Sequence, residues 1–72
     1  MKKIKKIKIK LNGKSKMIRG DYKIKDLISD LKIPIKKVAI ELNQEILDKK
    51  ELHKTKLKRD DKVEIVHFIG GG

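Results

Sequence analysis

The chain has 72 residues, 21 Lys plus Arg against 10 Asp plus Glu, a net charge of +11, and no cysteine. One domain fits that length, close to the lower limit at which a hydrophobic core alone holds a fold. The missing thiol excludes disulfides, zinc-thiolate clusters and an internal sulfur nucleophile, so any sulfur chemistry would need a partner's cysteine.

The opening MKKIKKIKIKLNG is basic, but no continuous apolar run follows it. That excludes a signal peptide or a membrane span, and the expected location is cytoplasmic, with no membrane partner. The excess charge does not by itself indicate nucleic acid. Arg19 and Arg59 are the only arginines, and Tyr22 and Phe68 the only aromatic residues. Phosphate and base readers usually combine arginine forks with stacking rings. A basic nucleic-acid-binding module is kept as the rival from a different class, but the lysines alternate with apolar residues as a solvated strand face would.

In IKIKLNGKSKMI, Ile7, Ile9 and Leu11 alternate with Lys6, Lys8 and Lys10, the period of a half-buried strand. Asn12-Gly13 follows, the pair best suited to a two-residue type I′ turn, and a second strand through Met17–Arg19 should return antiparallel. Ile4 is out of phase, so Met1–Lys5 is expected to be an irregular start. Ile24, Leu27, Ile28 and Leu31 then fall on one face of a helix over about 24–32, stopped by Pro34. Val38, Ile40 and Leu42 restore the period of two, pointing inward. Asn43-Gln44 is the expected turn into a brief strand at Ile46. Asp48 and Glu51 resemble a capping box, predicting a helical turn at Lys49–His53. KRDDK reads as a turn and VEIVHFI as the last strand. A hairpin, a crossing helix and further strands make an α+β fold of the β-grasp, ubiquitin-like type. It should have a mixed sheet of four to five strands, one helix across one face, and the first and last strands parallel at its centre. Residues 1–69 form the expected domain and 70–72 a flexible tail.

An enzyme site is not found. His53 and His67 have no cysteine or carboxylate at ligand spacing, and a metal needs three or four convergent ligands. Asp60-Asp61 lies between Arg59 and Lys62 at a strand entrance, where turn formation is the better reading. IGGG is not a phosphate loop, because no helix follows it. No cofactor and no metal are expected. The glycines fit another role: a side-chain-free arm of about 10 Å that can enter a narrow slot and bend inside it. Such an arm lets an activating enzyme reach an α-carboxylate, itself a poor acyl electrophile. A frayed tail with no role is the plain alternative.

The segments LNGK, VAIELNQEI and DKVEIVHFIGGG resemble the ThiS family of ubiquitin-like sulfur carriers of thiamin thiazole biosynthesis, over about Ile7 to Gly72. The resemblance implies that Gly72 is adenylated by an E1-like, ThiF-type enzyme using ATP. It further implies that Gly72 becomes a thiocarboxylate with sulfur from a persulfide donor, and that a ThiG-type thiazole synthase takes the sulfur. Gly71 belongs to the tail motif and Gly70 extends it. On this reading the chain is a carrier and not an enzyme. The Met1–Lys5 extension and the high charge depart from the family pattern. The rivals nearest in kind are a molybdopterin-synthase small subunit and a ubiquitin-like protein modifier.

The last strand carries one more expectation. Val63 and Ile65 should face the helix, leaving Glu64, Val66 and Phe68 on the other side. No second helix is long enough to cover Val66 and Phe68. They are therefore expected, with Ala39 on the neighbouring strand, to form a partner-docking surface; the plain alternative is that valine and phenylalanine simply strengthen a central strand.

Overall fold

The computed structural model describes residues 5–68. Strands β1 (Lys6–Leu11) and β2 (Lys14–Arg19) form a hairpin, and helix α1 (Ile24–Asp30) crosses from it to β3 (Val38–Leu42). The two-residue β4 (Glu45–Ile46) returns beside β3, and β5 (Lys62–His67) closes the sheet. The five strands lie in the order β2-β1-β5-β3-β4. As expected of a β-grasp, β1 and β5 are parallel neighbours, Leu11 opposite Val63, with β3 antiparallel on the other side of β5.

Both hairpins turn through paired left-handed residues. Asn12 and Gly13 have φ of 50° and 82°, and Asn43 and Gln44 have 52° and 72°. Positive φ at both central residues matches the right-handed twist of the flanking strands. Gly20 answers a different constraint: a Cβ there would lie 2.7 Å from the Lys5 carbonyl oxygen. Its N–H donates to that same oxygen, extending the β1–β2 pairing beyond Arg19.

The core lies between the sheet and α1. Ile9, Ile18, Val38, Ile40, Val63 and Ile65 come from the strands and Ile24, Leu27 and Ile28 from the helix, all buried. Leu52 and Leu57 are equally buried, although they sit in the irregular stretch between β4 and β5. That stretch has a second task. The first N–H groups of a helix have no partner within it. Here Ile24 N–H donates to Thr55 O and Lys25 N–H to Leu52 O, at 2.9 and 3.0 Å. Lys23 N–H donates to the Asp26 carboxylate. The start of α1 is thus closed by a distant loop and by its own third residue.

Several boundaries differ from expectation, each for a local reason. The helix ends at Asp30 rather than about residue 32, because Lys32 takes φ 56°. A 3-10 turn at Ile35–Lys37 precedes β3. The expected helical turn at Lys49–His53 is a 3-10 turn, Lys49–Glu51. Its capping box is one-sided, with Asp48 accepting from Lys50 N–H. Leu42 is half-buried at the sheet's margin.

Candidate functional site

Strand β5 is the last described strand and precedes the glycines in sequence, so what holds β5 fixes the end of the described chain. Two asparagines from the hairpin turns grip it. Asn12 N–H donates to Val63 O at 2.9 Å, and the Asn12 side-chain oxygen accepts from Ile65 N–H at 2.8 Å. This bond occurs where β1 has already turned away, since its pairing with β5 stops at Leu11–Val63. An N–H left without a partner there would carry the full desolvation cost. On the opposite edge, Asn43 N–H donates to Lys62 O at 2.7 Å and its side-chain oxygen accepts from Lys62 N–H at 2.9 Å. Its amide donates in turn to Asp61. Asp61 also accepts from Lys58 N–H, so Asp60-Asp61 is a structural turn, as its setting suggested.

Cross-strand partners share a face, which assigns each side chain of the sheet. Val63 and Ile65 are 1% and 8% exposed against the helix, whereas Val66 and Phe68 are each 54% exposed. Ala39 is the direct partner of Val66, so the three residues expected to form a docking surface lie together at the tail end of the sheet. Phe68 N–H donates to Lys37 O, carrying the β3–β5 pairing one residue past His67. The Lys49 ammonium lies 5.5 Å from the centre of the Phe68 ring, a cation–π contact that leaves the rest of the ring open.

The exposed large hydrophobic residues among those described are Met17, Ile46, Val66 and Phe68. Met17 pairs with Lys8, and Ile46 with Glu41, so Met17 and Ile46 also belong to the helix-free face. Sequence reading found Val66 and Phe68 but not these two, whose positions emerge only from strand register. Gly70, Gly71 and Gly72 lie outside the described residues. His53 and His67 are exposed and far apart in role, one in a loop and one at the end of β5. Among the described residues no group of three or more His, Cys, Asp or Glu converges to hold a metal. Nor is any described helix long and apolar enough to cross a membrane.

A parallel first-and-last strand pair under a single helix is an arrangement shared with known proteins. The chain matches the ThiS family over residues 9–72. It belongs to that family. The sulfur carrier protein ThiS of Bacillus subtilis is 40% identical over 65 residues, covering 89% of this chain and 98% of that protein. The crystal structure of the thiamine biosynthesis protein ThiS from Geobacter metallireducens superposes with a TM-score of 0.81 at 32% identity. That alignment covers 92% of this chain and 100% of the other. The fold is accordingly the ubiquitin-like β-grasp. A thiazole synthase of Paramagnetospirillum magneticum is 35% identical over 66 residues, 92% of this chain but 20% of the enzyme. The ThiS-like LNGK and ELNQ segments thus have a structural basis here: each asparagine makes a tight turn and holds β5.

Proposed function

We propose that this ThiS-family chain is a sulfur carrier in thiamin biosynthesis, with the chemistry performed on its tail by other proteins. The α-carboxylate of Gly72 attacks the α-phosphorus of ATP in the site of an E1-like, ThiF-type enzyme and releases pyrophosphate. The terminal sulfur of a partner's cysteine persulfide then displaces AMP from the activated carbonyl, leaving an acyl disulfide to that cysteine. A second partner thiol attacks the cysteine sulfur, forms a disulfide with it and releases the Gly72 thiocarboxylate, which goes to a ThiG-type thiazole synthase. Gly70 and Gly71 supply the narrow, bendable approach that such a site requires. Apart from the Gly72 carboxylate, the chain supplies no acid, base or nucleophile to these steps.

The observation that carries this reading is the family match, which runs through Gly72. Similarity to a segment of a thiazole synthase supports the choice of acceptor. Ala39, Val66 and Phe68 are proposed as the docking patch, because an exposed apolar surface at the last described residues would hold an enzyme that acts on the residues that follow in sequence. Removal of Gly72 should abolish AMP transfer by the activating enzyme while leaving the thermal melt unchanged. Undiminished adenylation of the shortened chain would contradict the carrier reading.

A further inference from the structure

On the bare face of the sheet, Glu41 of β3 and Glu64 of β5 are directly opposed partners. Two like charges in that position destabilise a sheet. The chain is rich in lysine, yet among the described residues the ion pair formed within 4.0 Å is Arg19–Asp21, and neither glutamate takes part in it. Two residues further along each strand toward the tail, the glutamates give way to Ala39 and Val66. The acidic pair therefore borders the apolar patch, where a docked surface would exclude water and strengthen any charge contact made. The sign reverses toward the start of β5, where Lys62 on the same face is paired with Lys10 of β1. Lys6, Lys8 and Lys10 of β1 point to the same face, since Ile7, Ile9 and Leu11 point to the helix side.

We propose that this face docks a protein surface that brings an arginine to the Glu41–Glu64 pair and carboxylates to the lysine row of β1. A guanidinium fork can accept both glutamates at once, which a single ammonium does less well. The apolar patch supplies contact area, and the charge division fixes the rotation of the partner. The proposal rests on the carrier reading, in which a partner must reach the chain at the Phe68 end. It also treats the glutamate pair as a place where fold stability is given up for recognition, and this separates it from a structural role.

The test uses the whole chain and, as probe, the ThiF-type enzyme of the same genome, with affinity measured by calorimetry. Glu64→Lys should lower affinity by about tenfold or more while leaving the melting temperature unchanged or raised, because Glu41 then faces a cation. Glu64→Gln should weaken binding less. Lys8→Glu combined with Lys10→Glu should slow association and reverse its salt dependence. Affinity of Glu64→Lys within about twofold of wild type, or a loss of binding that accompanies unfolding, overturns the proposal. So does sedimentation showing a dimer that Glu64→Lys dissociates, since the occupant is then a second copy. Phe68→Asp separates the two levels. If Phe68→Asp abolishes binding and Glu64→Lys does not, the docking patch stands and its charge reading fails. If the unaltered chain neither binds nor accepts AMP, the carrier reading fails and this proposal with it.

Discussion

The two faces of the sheet are made from the same strands and much the same residues, but they obey different rules. Toward α1, residues from β1, β2, β3 and β5 interlock with the helix and with Leu52 and Leu57, and the buried ones are all apolar. Away from α1, the sheet carries lysines, two opposed glutamates and several large apolar side chains open to solvent. A chain this small can close one core and no more. The covered face therefore accounts for the existence of the domain, whereas on the bare face Val66 and Phe68 remain half exposed. The glycine tail follows the strand that separates the two.

The sharpest way to break this contrast is to place the same charge on either side of β5. Ile65→Asp buries an unpaired carboxylate, costing on the order of 4 kcal/mol or more, which a domain of this size does not withstand. Its circular dichroism at 25 °C should be that of an unfolded chain. Phe68→Asp, three residues away, should keep the fold and lose less than about 1 kcal/mol, chiefly the contact with Lys49. It should instead weaken binding to the activating enzyme by about 2 kcal/mol, read by calorimetry. Equal melting losses in the two variants would mean that Phe68 belongs to the core.

A second way concerns the grip on β5. Asn12→Ala removes the acceptor for Ile65 N–H and leaves an alanine at φ 50°. Together these should cost about 2–3 kcal/mol in urea unfolding. Asn12→Gly relieves the backbone strain alone and should recover part of the loss. If the alanine and glycine variants are equally stable, the side-chain bond rather than the turn conformation carries the effect.

The smallest expected effect lies far from the bare face and serves as its control. The Tyr22 phenol donates to the Asp30 carboxylate, and that hydrogen bond raises the phenol's pKa above its usual value. The protonated phenol is favoured by folding, so its contribution is fully present below the unfolded pKa of about 10. It is lost as pH rises through the higher folded value. Tyr22→Phe should flatten this alkaline loss in urea midpoints and leave enzyme binding untouched. A change in binding would extend the functional surface beyond the sheet.

Much of the covered face was legible in the sequence because alternation is a direct image of strand geometry. Ile7, Ile9, Val63 and Ile65 declare their side at once, as does the helical spacing of Ile24, Leu27 and Ile28. Leu52 and Leu57 were not legible as core, since isolated leucines among lysines in an irregular segment carry no period. Their burial depends on a loop folding back over the start of α1. The asparagines were half legible. Their turn role follows from the dipeptides, but their bonds to β5 need the parallel neighbour in place. On the bare face, alternation exposed Val66 and Phe68. The Glu41–Glu64 opposition and the placement of Met17 and Ile46 required the register. Gly70, Gly71 and Gly72 lie outside the described residues, and the tail reading rests on the glycines themselves and on the family match.

The central claim is that Gly72 carries sulfur. Its most direct test is the intact mass of the protein purified from the cells that make it, with fragmentation to place any change. The expected result is a species in which one oxygen is replaced by sulfur, localised to Gly72, that disappears when the activating enzyme is deleted. A tail that remains an unmodified carboxylate while thiazole synthesis is active in those cells would contradict it.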